Sequence, residues 1–128
     1  MNRKMILTGM AMVGSVLMSA LALAQTPAPT YESLRDGILT AKCLKCHSAG
    51  STSDANQMPF DTYAALLADV DDSGTKILIP GDVNDSILNK ALVKTPPSMP
   101  PKKSGIPPLT PEELATVQLW IQNGAPEK

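Results

Sequence analysis

The sequence has 128 residues, of which 43% are hydrophobic and 18% charged, with eleven basic residues against twelve acidic ones. A chain of this length builds one small domain, and its balanced charge excludes the strongly basic surface of a nucleic-acid-binding protein. Aromatic residues make up only 3% of the chain, so it has few of the large side chains that build a thick core.

The N-terminal stretch has the layout of a secretory signal peptide. Positive charge at Arg3 and Lys4 precedes an apolar run that ends in the small-x-small pattern Ala22-Leu23-Ala24. Glycine and serine residues dilute this run, which argues against a retained membrane anchor. We therefore expect cleavage after Ala24 and export to the periplasm.

The expected organisation of the chain has three parts. Residues 1–24 are the signal peptide, residues 25–30 a flexible linker, and residues 31–128 the folded domain. Cleavage would remove two basic residues and leave nine against twelve acidic ones, so the exported protein would be mildly acidic. We expect it to be a monomer with no membrane span and no nucleic-acid partner.

The first predicted helix, from Tyr31 to Lys42, runs directly into Cys43-Leu-Lys-Cys46-His47. This C-x-x-C-H run is the attachment signature of c-type haem. Two thiols one helical turn apart can add to the two vinyl groups of the porphyrin, and the histidine is then placed to bind the iron. The motif therefore predicts one covalent haem c held by Cys43 and Cys46, with His47 as an iron ligand.

Other chemistries of a C-x-x-C pair fit the sequence less well. A thioredoxin-like redox pair would be surrounded by a βαβ pattern, and none is visible here. A closed structural zinc site needs four ligands, and the chain has no further cysteine or histidine to supply them. A Cys43–Cys46 disulfide in a small secreted binding module would leave His47 unexplained, and a measurement of covalent haem would exclude it.

Two further short amphipathic helices are predicted in the middle of the chain, each opened by a capping side chain. Their candidate N-cap residues are Asp61 or Thr62 for the first helix and Asp82 or Asn84 for the second. The first carries apolar residues up to Val70 and ends at the turn formed by residues 71–74. The second carries apolar residues from Ile87 to Val93. The apolar run 77–79 between them is too short to assign.

One histidine supplies one axial ligand, so the second ligand is another residue or is missing. After the signal peptide the chain offers Met58 and Met99. Met58 follows His47 closely and would have to reach the opposite face of the ring within a short length of chain. Met99 lies between proline pairs in a loop, where the prolines lower the entropic cost of holding the thioether in place. The sequence therefore favours Met99 over Met58 as the second ligand.

The last predicted helix has the clearest boundary signals. It begins after Thr110, an N-cap residue followed by Pro111 at the first helical position and Glu113 at the capping-box position. Gly124 stands where a left-handed C-terminal cap would fall. Packing in the core is the ordinary role for Trp120 on this helix, and contact with a haem edge or propionate is the alternative.

The order of these features resembles class I cytochrome c: a helix, C-x-x-C-H, a Met-Pro-Pro loop and a final helix. More narrowly, the chain is similar to the small bacterial domains called planctomycete-type cytochrome c. Three stretches carry this likeness: Ile79-Pro80-Gly81-Asp82 with Ser86-Ile87-Leu88, Ser98-Met99-Pro100-Pro101, and Leu119-Trp120-Ile121-Gln122-Asn123-Gly124-Ala125. The resemblance implies an all-α fold, a small helical domain with long irregular loops wrapped around a covalent haem. It also implies electron transfer by iron that His47 and Met99 hold.

The resemblance also suggests a hydrogen-bond partner for the histidine ligand. Pro59 follows His47 at a spacing similar to that of the proline whose carbonyl accepts from the ligand histidine in class I cytochromes. The alternative, which we favour, is that Pro59 only prevents helix formation before Phe60 and Asp61.

Together these features predict a monohaem one-electron carrier that works with redox partner proteins and is not an enzyme. After the signal peptide the chain has no second histidine and no arginine other than Arg35 to form a peroxidase-like acid–base pair. The alternative is a haem domain that binds a gas or a peroxide at an open or labile sixth position. The ligation state of the iron distinguishes these two functions.

Overall fold

The computed structural model describes residues 26–128, so the predicted signal peptide (1–24) lies outside the described residues. Within residues 26–128 the regular elements are helices and no strand is formed. The only sheet-like contact in this range is one antiparallel bridge between Val70 and Lys76. The fold therefore confirms the predicted all-α class.

The elements in chain order are α1 (Tyr31–Leu34), a π-helical turn (Arg35–Leu39), α2 (Thr40–Lys42), a 3₁₀ turn (Asp54–Gln57), α3 (Tyr63–Ala68), α4 (Ile87–Val93), a second 3₁₀ turn (Lys102–Ser104) and α5 (Pro111–Gln122). The residues that join α1, the π-helical turn and α2 all have helical dihedrals. These three segments therefore form one continuous helix, called the first helix below, which confirms the predicted element. No described helix is both long and apolar enough to cross a membrane.

The first helix begins with a reciprocal capping box. Thr30 Oγ1 accepts from the Ser33 N–H at 3.2 Å, and Ser33 Oγ accepts from the Thr30 N–H at 2.9 Å. The Tyr31 N–H donates to the Pro126 carbonyl at 2.8 Å, which ties the start of this helix to the end of the chain. The π-helical turn in its middle contains Gly37, a weak helix former.

The helix α3 confirms one of the two predicted caps and is shorter than predicted. Thr62 Oγ1 accepts from the Ala65 N–H at 3.2 Å, so Thr62 rather than Asp61 is the cap. The helix stops at Ala68 because Asp69 adopts an extended backbone, with ψ at 147°. Val70, predicted to belong to the helix, lies beyond its end.

The helix α4 begins differently from the prediction, because neither Asp82 nor Asn84 caps it. Instead, Asp82 Oδ1 accepts from the Asp85 N–H at 3.0 Å and closes the turn that precedes the helix. The fully buried Ser86 completes this turn: its Oγ donates to the Asp82 carbonyl at 2.7 Å and accepts from the Ile79 N–H at 2.9 Å. The turn uses the side chains that a helix cap would otherwise need.

The helix α5 confirms the prediction at both ends. Thr110 and Glu113 form the capping box, with distances of 3.2 and 2.8 Å, and Pro111 occupies the first helical position. Gly124 has a φ of 88°, as a left-handed C-terminal cap requires. Trp120 is fully buried, and its indole N–H donates to the Pro126 carbonyl at 2.9 Å. Trp120 is therefore a core residue, which confirms the expectation that it packs in the core.

Candidate haem site

The end of the first helix, the 3₁₀ turn after it, α4 and the loop after α4 surround a cavity of about 350 Å³. Most of its walls are apolar and come from residues such as Phe60, Ile77, Leu88 and Leu92. Concave apolar cavities with a few polar groups are typical of cofactor sites. Trp120 does not line the cavity, which is inconsistent with the alternative contact predicted for it.

All four residues predicted to hold a haem line this cavity. Cys43, Cys46 and His47 come from the turns directly after the first helix, and Met99 comes from the loop after α4. The fold thus brings together residues that are distant in sequence. Met58, the other candidate for the second ligand, lines the same cavity.

Tight turns hold the three motif residues at the end of the first helix. The Cys43 N–H donates to the Leu39 carbonyl at 2.8 Å, as in a helix. The Cys46 and His47 N–H groups then both donate to the Cys43 carbonyl, at 3.0 and 2.8 Å. These bonds fix the spacing between the two thiols and the imidazole.

The two thiols are free, and the surroundings of Cys43 do not favour redox chemistry at that thiol. Burial raises the pKa of the Cys43 thiol to about 11, and nearby Cys46 and Glu113 act in the same direction against Lys42. A thiol with such a pKa is protonated at neutral pH and is a weak nucleophile. A thioredoxin-like pair needs a lowered thiol pKa, so the burial of Cys43 disfavours that alternative.

His47 is only 7% exposed, and three contacts fix its side chain and backbone. Its Nδ1 lies 3.0 Å from the Met58 carbonyl oxygen. Because a carbonyl can only accept, Nδ1 carries the hydrogen and Nε2 of the neutral ring keeps the lone pair that binds a metal. The Phe60 ring stacks on the imidazole, with centroids 4.3 Å apart and planes within 1°. The Phe60 N–H also donates to the His47 carbonyl at 2.8 Å.

The carbonyl that accepts from His47 therefore belongs to Met58, and the role suggested for the Pro59 carbonyl is wrong. The 3₁₀ turn sets this register, since the Met58 N–H donates to the Ala55 carbonyl at 3.0 Å. In extended chain, successive carbonyls point in opposite directions, so a shift of one residue changes which carbonyl faces the ring. The sequence prediction also missed Phe60, for which an aromatic residue shortly after the motif was the only signal.

One carbonyl holds the start of the loop that carries Met99. The Ala91 carbonyl near the end of α4 accepts from the Ser98 N–H at 3.0 Å, the Ser98 Oγ at 3.2 Å and the Met99 N–H at 3.3 Å. The Thr95–Pro96 and Met99–Pro100 peptide bonds are cis. Met99 is 38% exposed, so one side of it faces solvent while the other lines the cavity.

Arg35, the arginine considered above for a peroxidase-like acid–base pair, lies away from the cavity. Arg35 is paired with Asp36 at 2.9 Å, with 42% of its side chain exposed, and does not line the cavity. Lys42, Lys103 and Asp54 are the charged residues that do.

The residues of the cavity fit a covalently bound haem. Two thiols, an imidazole whose Nε2 keeps its lone pair and a thioether are the donor set that c-type haem uses. The apolar walls suit the porphyrin, which is itself largely apolar. The helical fold together with the C-x-x-C-H motif is typical of c-type cytochromes.

A comparison with protein families gives a narrower likeness. The family model described as Planctomycete cytochrome C matches residues 43–103, so this segment is similar to that family. The match begins at Cys43 and includes Cys46, His47 and Met99, and it confirms the resemblance predicted from the sequence. Neither the comparison with curated proteins nor that with solved structures gives a match.

Proposed function

We propose that this protein is a monohaem c-type cytochrome that carries single electrons between partner proteins, and that His47 and Met99 would hold the iron of the haem. The observation that carries the proposal is the convergence of Cys43, Cys46, His47 and Met99 on one apolar cavity. Electron transfer is also the function that the family match supports.

The location and organisation of the chain complete the proposal. Residues 1–24 would be a signal peptide cleaved after Ala24, residues 25–30 a linker, and residues 31–128 the cytochrome domain. The protein would then work in the periplasm as a monomer. The N-terminal pattern of charge, apolar run and small residues supports this part of the proposal.

Each side chain at the cavity has a separate role in the proposed mechanism. Cys43 and Cys46 would anchor the haem through thioether bonds, and neither thiol would then be available for catalysis. The haem supplies the one-electron couple of its iron. The Met58 carbonyl and the Phe60 ring keep the His47 imidazole in one tautomer and one orientation. The apolar walls exclude water from the ring.

The same residues set the direction of the reduction potential. A neutral thioether is a soft ligand that favours the reduced metal, so a His/Met pair gives a higher potential than two histidines. The apolar walls act in the same direction, because a site of low polarity disfavours the extra positive charge of oxidised iron. We therefore expect an electron carrier that is easily reduced.

A second candidate function follows from the exposure of the Met99 side chain. Met99 is 38% exposed, whereas His47 is 7% exposed. A partly exposed thioether is easier to displace than a buried one, which favours a domain that binds a gas or a peroxide at a labile sixth position. The strength of the Met99–iron bond decides between the two functions.

A pair of matched variants tests the proposal, with the holoprotein made in a host that attaches haem. Met99→Leu and Met58→Leu each replace a thioether of the cavity wall by an apolar side chain of similar volume. We expect Met99→Leu to lose the sulfur-to-iron charge-transfer band and to lower the potential, roughly by 100 mV or more, since axial ligands set haem potentials over about 0.8 V. Met58→Leu should keep both the charge-transfer band and the potential of wild type, because the backbone carbonyl that accepts from His47 remains.

The spectra and potentials of these proteins distinguish Met99 from Met58 as the second ligand, and electron transfer from ligand binding as the function. Loss of the band only in Met58→Leu would assign the second ligand to Met58 and contradict the assignment of Met99. A wild-type holoprotein with a high-spin spectrum and no charge-transfer band would support the ligand-binding function instead. Visible spectra and potentiometric titration provide these measurements.

A further inference from the structure

Lys42 lies directly before the haem motif, and its side chain is largely buried. Only 12% of that side chain is exposed, although lysine ammonium groups usually reach water. The ammonium donates to the Pro107 carbonyl at 3.3 Å and to the Pro108 carbonyl at 3.4 Å. The Glu113 carboxylate lies 3.8 Å away on the other side. These acceptors therefore fix the position of the Lys42 ammonium group.

Its two acceptors lie at the far end of the Met99 loop, defined here as residues 98–109. The Ala91 carbonyl holds the start of this loop, and internal bonds hold its middle. Pro107 and Pro108 have no N–H group, so the main chain there can be held only through its carbonyls. Both carbonyls accept a hydrogen bond from the Lys42 ammonium group.

The loop needs an anchor of this kind because the packing around its ligand residue is incomplete. Met99 is 38% exposed, and its backbone is held on one side only, by the bond to Ala91. The loop segment between Met99 and Pro107 forms one wall of the cavity, through Pro101, Ser104 and Ile106. Movement at the far end of the loop would therefore move this wall and loosen the thioether.

We propose that Lys42 is a positioning residue for the sixth iron ligand: it ties the far end of the Met99 loop to the helix that carries the haem motif. The inference rests on the proposed function, because it takes Met99 as an axial ligand. Lys42 touches neither Met99 nor the iron in this role. It acts by keeping the two walls of the cavity at a fixed separation.

Binding of imidazole to the oxidised holoprotein tests the proposal, because imidazole must displace Met99 to reach the iron. Lys42→Met keeps the apolar stem and removes the ammonium. Because the loop then loses this anchor, we expect imidazole to bind about tenfold more tightly to this variant, which corresponds to about 1.4 kcal/mol of binding free energy. The sulfur-to-iron charge-transfer band should weaken in parallel.

Lys76→Met is the matched control. The Lys76 ammonium also donates to two carbonyls, those of Leu67 and Ala68 at 3.1 and 3.2 Å, but these lie at the end of α3 and not in the Met99 loop. A purely structural effect would lower the unfolding free energy in both variants without changing imidazole affinity in either. Lys42→Arg, which keeps the charge and the donors, should bind imidazole within about twofold of wild type, since its hydrogen bonds remain.

The outcomes distinguish this inference from the proposed function. If wild type shows the charge-transfer band and Lys42→Met binds imidazole no more tightly than Lys76→Met does, the role of Lys42 is wrong and the proposed function stands. If wild type itself lacks the band, both are wrong. Should Lys42→Met not be recovered with haem, the same comparison between Lys42→Gln and Lys76→Gln decides.

Discussion

The immediate surroundings of His47 show how neighbouring backbone can prepare one side chain for metal binding. The Met58 carbonyl assigns the ring hydrogen to Nδ1, and the stacked Phe60 ring limits rotation of the imidazole. Phe60 is held in turn by Tyr31, whose hydroxyl donates to the Phe60 carbonyl at 2.8 Å. A residue at the start of the first helix thus supports the candidate ligand His47, which follows the end of that helix.

Tyr31 provides a prediction at this scale. Burial raises the pKa of its phenol above the ordinary value of 10.0, and Arg35 opposes this effect only in part. Because the folded pKa lies above the unfolded one, the contribution of Tyr31 to stability is complete below pH 10 and is lost as the pH rises through the folded pKa. Tyr31→Phe should lower the unfolding free energy at pH 7 by about 1 kcal/mol and reduce its fall above pH 10.

Tyr63→Phe is the control for this prediction. Its hydroxyl donates to the Ala125 carbonyl, also at 2.8 Å, so both variants lose one hydrogen bond of equal length. Denaturant unfolding of the three proteins at neutral and alkaline pH gives the comparison. If the unfolding free energy of Tyr31→Phe falls above pH 10 as much as that of wild type, the role assigned to the Tyr31 phenol is wrong.

At the level of the elements, the turn before α4 illustrates a glycine whose backbone conformation is required. Gly81 has a φ of 84°, and its N–H donates to the Ile121 carbonyl at 2.7 Å, which joins this turn to α5. Residues with a Cβ atom are disfavoured in this region of dihedral space. The Pro80-Gly81-Asp82 stretch therefore has a structural explanation.

Gly81→Ala should lower the unfolding free energy by about 1–2 kcal/mol because the left-handed conformation disfavours a Cβ atom. Gly37→Ala is the contrasting variant, since Gly37 lies in the first helix, has no positive φ and has open space around its Cα. This second change should be neutral or stabilising by roughly 0.5–1 kcal/mol, as alanine is the better helix former. Urea unfolding midpoints measure both effects, and equal destabilisation by the two changes would contradict this account of Gly81.

The helices differ in how far the sequence predicts them, and the difference has a physical cause. The boundaries of α5 depend on local chemistry at Thr110, Pro111 and Gly124, and all were predictable. The start of α4 depends on a buried hydroxyl, that of Ser86, which accepts from and donates to backbone that precedes the helix. Burial of a polar side chain is a tertiary property, so a pattern of caps alone led to the wrong residue.

For the molecule as a whole, the candidate site also has one part that the local sequence predicts and another part that depends on tertiary structure. Cys43, Cys46 and His47 form a local motif and were predictable from their spacing. The partner of His47 was not, because the register of a 3₁₀ turn decides which carbonyl faces the ring. The sequence favoured Met99 because it lies between proline pairs, but the bonds from α4 and from Lys42 that hold its loop beside the motif depend on the fold.

The size of the cavity also concerns the whole molecule. A space of about 350 Å³ lies beside a core that contains few aromatic residues, and Phe60 and Leu88 belong to both the core and the cavity wall. Under the proposed function, the haem would fill this space and become part of the core. Its binding would then contribute to folding as well as to electron transfer, as bound metals do in other small domains.

The most direct test of the central claim is the visible spectrum of the exported protein, made in a host that attaches haem and recorded oxidised and then reduced. We expect low-spin bands in both states, a sulfur-to-iron charge-transfer band when oxidised, and a haem that stays with the chain after denaturation. Absence of covalent haem from a competent host would contradict the proposed function, because Cys43, Cys46 and His47 would then serve another purpose.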